Sequence, residues 1–214
     1  MIAVSGLLLF IHIAAEMREG EANGPDRAIL LALRTPGHLE KPIGPVWMVQ
    51  SAIDISALGG FTLLWLLAAV VIGYLLIARR RAAAVVFAFA MGGATMLNTV
   101  MKLDFHRARP DVVPHLTIVT DASFPSGHAM LSAATYLTIG AMLAQIQPRV
   151  GARIYLLSVA VFVAVLVGAT RVYLGVHWPS DVLAGWCLGS AWALAFWTLT
   201  RWVEHHPVTP HHKT

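Results

Sequence analysis

Apolar positions in this chain come in long runs, not in the alternating or one-face patterns of soluble strands and helices. A membrane helix needs about 20 mostly apolar residues. Residues 57–78, 82–101, 129–146, 154–169 and 182–202 meet or approach that length, and residues 2–15 form a shorter sixth run. The first run contains His12 and lacks both a basic leading segment and a small-residue cleavage site. It therefore reads as a retained span, not a removable signal. Between the first two runs lies the most polar stretch, 16–51. Within it, Asp26 to Arg34 sets apolar residues along one side of a helix, with Pro25 in the first turn and Pro36-Gly37 as a stop. This segment reads as a helix lying in the membrane interface, or as a cap packed on the bundle. The expected fold is all-α: an integral membrane bundle of six transmembrane helices, with the interfacial helix between the first and second spans.

Composition strengthens that picture. Hydrophobic residues make up 57% of the 214 and charged residues 12%, where a soluble domain carries about 25% charged. Such a chain cannot coat a water-facing surface in the usual way, and it is far too apolar for a disordered one. A single cysteine, Cys187, excludes a disulfide framework and a multi-cysteine metal site. One domain over 1–214 is expected, its chemistry-bearing core at about 57–202. The net charge of +4 points to topology and anion binding, not to nucleic acid. Arg79-Arg80-Arg81, then Arg149 and Arg153, then Arg201 and Lys213 fall on one side of a six-span bundle. The positive-inside rule places that side and both termini in the cytoplasm. Residues 102–128 and 171–181 then face outward.

Those two outward segments hold three clusters. They are Lys102-Leu-Asp-Phe-His-Arg-Ala-Arg109-Pro110, then Phe124-Pro125-Ser126-Gly127-His128, then Thr170-Arg171-Val-Tyr-Leu-Gly-Val-His177-Trp-Pro-Ser-Asp181. They resemble the three signature motifs of the type-2 phosphatidic acid phosphatase superfamily: Lys-x6-Arg-Pro, Pro-Ser-Gly-His and Ser-Arg-x5-His-x3-Asp. The resemblance spans about 57–202, in the right order, and departs only at Thr170, which keeps the hydroxyl of the usual serine.

The residues also make physical sense on their own terms. A phosphate ester is a dianion, and Lys102, Arg109 and Arg171 supply three cations, two of them with planar forks suited to phosphate oxygens. Ser126-Gly127 stands where the fourth apolar run begins. Alone it reads as a helix cap. Followed by His128, with basic clusters on the same face, it reads as a helix N-terminus for a phosphate, Ser126 capping and Gly127 admitting the ligand close to the backbone. Asp181 sits in the first turn of a helix opening at Pro179, where a carboxylate favours the helix dipole. It can equally accept an N–H from His177 and fix that ring's tautomer.

The resemblance implies specific roles. His177 is the nucleophile and forms a phosphohistidine, Asp181 orients it, and His128 protonates the leaving oxygen and then activates water. Lys102, Arg109 and Arg171 clamp the phosphoryl oxygens with Ser126 and Gly127. No metal and no cofactor are expected. The implied partners are a lipid phosphate substrate and membrane lipids, with undecaprenyl diphosphate, phosphatidylglycerophosphate and phosphatidic acid as candidates. The implied location is a bacterial inner membrane with the site facing outward. Alternatives are a phosphotransferase on the same scaffold and a non-catalytic anionic-lipid binding or transport protein. A third is a vanadate-holding haloperoxidase, whose known examples are soluble, unlike this composition. His106, Arg107 and His115 read as solvated loop residues, and Asp104, Asp111 and Asp121 as charge balance or site tuning. His205, His206, His211 and His212 read as a polar tail, and Asn98 as a residue bonding a neighbouring helix.

Overall fold

A computed structural model describes residues 2–20 and 23–205. The histidines at 206, 211 and 212 lie outside the described residues. Eight helices and one small hairpin occur among the described residues: α1 (Ile2–Glu19), α2 (Asn23–Ala32), β1 (Arg34–Thr35), β2 (His38–Pro42), α3 (Val46–Ala57), α4 (Phe61–Ile77), α5 (Arg81–Phe105), α6 (Gly127–Gln145), α7 (Val150–Tyr173) and α8 (Pro179–His205). The antiparallel pair β1–β2 turns at Gly37, whose φ of 80° is the left-handed conformation glycine tolerates.

Each apolar run became a helix, but α5 and α7 extend past theirs, to Phe105 and Tyr173. Hydropathy stops at the first charges, Lys102 and Arg171, whereas backbone hydrogen bonding does not. Both cations therefore stand on helical last turns. The amphipathic segment is α2, as its periodicity predicts. Unforeseen was α3, which follows Pro45 and meets α4 at an angle of 44°. Gly59 sits in this bend because nothing larger fits. A Cβ there would meet Val167 Cγ1 at 2.3 Å and the His128 carbonyl at 3.1 Å.

Among the described residues, three helices are long and apolar enough to cross a membrane: Arg81–Phe105, Val150–Tyr173 and the Pro179–Leu199 part of α8. The bent pair α3 and α4 raises the number to four if it counts as one span. The expectation of six is thus met only in part on length and composition. The two others have physical reasons to fall short. α1 carries Glu16, Arg18 and Glu19. α6 is rich in Ser, Thr and Gly because it is the central helix, packed on α7 and α8 and touching α4 and α5. Its neighbours are protein, so its sequence has no need to resemble lipid.

Small residues set the spacing around α6, as they do where helix packing cannot rely on excluding water. Gly185 and Gly189 of α8 lie against the carbonyls of Ser126 and Met130, where a Cβ would stand 2.8 Å and 2.3 Å away. Indole N–H groups tie other pairs: Trp186 Nε1 donates to the Ala164 carbonyl at 3.0 Å and Trp192 Nε1 to the Ala90 carbonyl at 2.9 Å. Large side chains such as Leu66, Val70, Phe89 and Phe162 point outward and are exposed, the pattern of a bundle whose surroundings are apolar.

Candidate active site

The end of α5, the start of α6, the end of α7 and the start of α8 meet at one end of the bundle. α5 closes at His106, which takes the left-handed conformation (φ 46°) and turns the chain into the loop 107–126. α7 closes at Leu174, and Gly175, with φ 73°, turns the chain toward His177. α8 opens at Pro179, which puts Asp181 in its first turn.

Asp181 has no solvent exposure. Its Oδ2 lies 3.5 Å from His177 Nδ1 and accepts hydrogen bonds from Ser123 Oγ (2.5 Å) and the Trp178 amide (2.9 Å). Its Oδ1 accepts from Arg107 Nη1 at 2.6 Å. Arg107 continues the network: Nη2 donates to Asp26 Oδ2 at 2.9 Å, and Nη1 to Ser180 Oγ at 2.7 Å. Asp26, 3% exposed, also accepts from the Ser180 amide (2.8 Å) and hydroxyl (2.5 Å). Buried charges of this kind persist only when fully paired. The network joins α2, the loop after α5 and the first turn of α8, and it ends on the His177 ring.

With Asp181 beside Nδ1, that nitrogen carries the proton and Nε2 keeps its lone pair. Nε2 is 3.2 Å from Arg109 Nη1. Burial pushes the His177 imidazole down to about 4; Asp181 works against that shift, and Arg109 and Arg171 reinforce it. The ring is therefore neutral at neutral pH. In the unfolded chain it takes up a proton near 6.5. The fold is thus at full strength above that pH and loses stability as the pH falls from there toward 4.

Lys102 Nζ donates to Asp121 Oδ2 and to the Ala122 carbonyl, both at 2.6 Å. Arg109 donates to Asp121 Oδ1 (2.5 Å), the Asp121 carbonyl (2.8 Å) and the Val176 carbonyl (2.5 Å). Arg171, 5% exposed, donates through Nη1 to Ser56 Oγ at 2.7 Å, and its Nε is buried without a partner. Lys102, Arg109, Arg171, Gly127, His128 and His177 line a single cavity of about 730 Å³. Phe61, Leu103 and Leu131 give that cavity an apolar side toward α4, α5 and α6. Among the described residues, no three His, Cys, Asp or Glu side chains gather as a metal-ligand set.

At the start of α6 one expectation, the capping role of Ser126, needs correction. Ser126 is the N-cap residue of α6, but its hydroxyl makes no capping bond; Oγ is buried and unpartnered, and the amide donates to the Asp181 carbonyl at 3.0 Å. The bare face of Gly127 is turned to Asn98, whose Oδ1 would lie 2.9 Å from a Cβ. Gly127 thus serves helix packing as well as lining the cavity. Asn98 does bond a neighbouring helix, donating to Met130 Sδ at 3.6 Å.

Arg107 is no solvated loop residue. Its side chain is 8% exposed, paired with two carboxylates, and stacked 5.5 Å from the Trp178 ring. His106 lines the cavity, and His115 bonds the Pro110 carbonyl. Ser123, Asp26, Ser180 and Ser56 were not foreseen. The Arg-x-Arg-Pro spacing could have flagged Arg107, but no local pattern links Asp26 to a residue 154 or 155 positions away.

The profile of the PAP2 superfamily matches residues 83–204, more than half of the chain. The chain belongs to the PAP2 superfamily. Phosphatidylglycerophosphatase B of Bacillus subtilis is 32% identical over 192 residues, covering 87% of this chain and 88% of that protein. An undecaprenyl-diphosphatase of Sulfolobus acidocaldarius is 44% identical over 71 residues, 33% of this chain and 30% of its own. The crystal structure of a transmembrane PAP2 type phosphatidylglycerolphosphate phosphatase from Bacillus subtilis superposes with a TM-score of 0.82 at 29% identity, covering 95% of this chain and 96% of that one. Aquifex aeolicus LpxE shares the fold, with a TM-score of 0.58 over 72% of this chain and 88% of its own, at 23% identity. The PAP2 match begins at residue 83, so Asp26 and Ser56 reach the site from outside it.

Proposed function

We propose that this PAP2 protein is a lipid phosphate phosphatase that works through a phosphohistidine on His177. The observation that carries the reading is the shared cavity: Lys102, Arg109, Arg171 and the imidazoles of His128 and His177 line it together, with His106 at its side, and His177 is backed by a buried carboxylate. His177 Nε2 attacks phosphorus, and the bond from phosphorus to the lipid oxygen breaks while His128 gives that oxygen a proton. His128 then takes a proton from water, whose oxygen attacks the phosphorus. The P–N bond breaks, and inorganic phosphate leaves. Lys102, Arg109 and Arg171 hold the phosphoryl oxygens as charge spreads over them. The unpartnered Arg171 Nε supports that assignment, since a buried donor without an acceptor is costly unless a ligand supplies one.

The substrate is a lipid because the cavity joins this charged end to an apolar side between membrane helices. Similarity along most of the chain to a phosphatidylglycerophosphatase favours phosphatidylglycerophosphate, and the shorter match keeps undecaprenyl diphosphate beside it. The chain acts as one unit that crosses a bacterial inner membrane six times, with α1 packed on α8 and α6 enclosed as the remaining crossings. The site faces outward and both termini are cytoplasmic, because Arg79 to Arg81, Arg149, Arg153 and Arg201 occupy the other ends of the helices.

The test is phosphate release by purified protein from phosphatidylglycerophosphate and undecaprenyl diphosphate, with chelator present. Turnover of at least one lipid, blocked by vanadate, is expected. Binding of both lipids with no turnover of either would overturn the reading.

A further inference from the structure

The three cations of the cavity are not equivalent. Arg171 keeps a buried, unpartnered Nε. Lys102 and Arg109 are already bridged by one carboxylate, each through a different oxygen of Asp121, at 2.6 Å and 2.5 Å. A phosphoryl group would present two oxygens to the same pair of cations. Asp121 also differs from the other acidic partners near the site. Its side chain is 59% exposed, whereas Asp26 and Asp181 are 4% and 0% exposed. It stands in the loop between α5 and α6, outside any helix or strand. Two bonds to the main chain of that loop, from Arg109 Nε to the Asp121 carbonyl and from Lys102 Nζ to the Ala122 carbonyl, would persist if the carboxylate alone swung outward.

We propose that the Asp121 carboxylate is a built-in stand-in for phosphate: it holds Lys102 and Arg109 together in the free enzyme, and the phosphoryl group of the substrate displaces it. The proposal rests on the reading that these cations clamp the phosphoryl oxygens. Burial raises the Asp121 pKa, but the hydrogen bonds and charges of Lys102 and Arg109 outweigh this and hold it at about 2. The competitor is therefore ionised whenever the enzyme works. Its consequence is kinetic as well as thermodynamic. Every anion entering the clamp must give up part of its binding energy to release Asp121, and Asp121 returning to the cations helps expel the phosphate product.

A carboxylate that merely braced the two cations would act in the opposite direction, since its removal would loosen the clamp. Inorganic phosphate distinguishes the two. Its inhibition constant is measured against lipid phosphate hydrolysis with the full chain in detergent, for wild type, Asp121→Asn and Asp121→Ser. Losing a charge-assisted competitor tightens phosphate binding by about tenfold or more in both variants. An unchanged or weaker inhibition constant overturns the proposal. If neither variant folds, carboxyl-labelled aspartate NMR on wild type decides: saturating phosphate should move the Asp121 resonance, and an unmoved resonance contradicts displacement. Arg171→Gln separates this from the underlying reading. If phosphate inhibits wild type and Arg171→Gln equally, the clamp itself is wrong. If Arg171→Gln loses inhibition while the Asp121 variants gain none, only the stand-in fails.

Discussion

The two walls of the cavity use charge in different ways. Behind the inner wall, which His177 lines, Asp26, Arg107 and Asp181 are almost wholly enclosed and fix the ring through three separate segments of chain. On the outer wall, Lys102 and Arg109 meet a carboxylate more than half open to solvent. A buried network that lost one member would leave an uncompensated charge, so it is rigid. The half-exposed one exchanges partners cheaply, because water and screening soften each step. The proposed covalent mechanism needs both behaviours, a nucleophile that does not move and an anion site that fills and empties.

The largest expected effect comes from removing what the inner wall positions. His177→Ala should lower kcat by at least about a thousandfold with helical content unchanged, measured by phosphate release and circular dichroism. Next, Arg107→Leu strands the Asp26 and Asp181 carboxylates. Breaking a buried pair costs about 3–5 kcal/mol, so thermal unfolding should fall sharply, and adding Asp26→Asn should recover part of the loss. An unchanged Tm would show that the network does not hold the site. Gly189→Ala probes the packing beneath the inner wall, where the new Cβ would meet the Met130 carbonyl at 2.3 Å. Overpacking of this kind costs about 1–3 kcal/mol, read as a lower Tm. The mildest test perturbs nothing. Nitrogen NMR of the free protein should find the His177 ring neutral well below pH 6.5, with protonation near 4. Titration near 6.5 would mean an imidazole less enclosed than the inner wall requires.

The contrast between the walls also marks what the sequence could reveal. Runs of apolar residues located α4 to α8, and motif spacing located Lys102, Arg109, His128, Arg171, His177 and Asp181, all of which face the cavity or the ring beside it. These signals are local, since a helix or a loop a few residues long carries them whole. Asp26 gave no such signal, because its partners lie 81 and 154 residues away and an acidic residue in the first turn of a helix has an ordinary local explanation. The helix α3 was hidden for a related reason: Gln50 and Asp54 pair with each other on its exposed side and dilute its apolar pattern. The apolar run of α6 was legible too, but the helix falls short of membrane-helix hydropathy because its neighbours are protein.

The central claim is that phosphorus is passed to His177 Nε2 inside this one cavity. A rapid acid-free quench of enzyme turning over a lipid substrate labelled in its terminal phosphate, followed by peptide mapping, tests it directly. The account predicts label on the peptide carrying His177 in wild type and none in His177→Ala. Label on another residue, or turnover by His177→Ala at the wild-type rate, would contradict it.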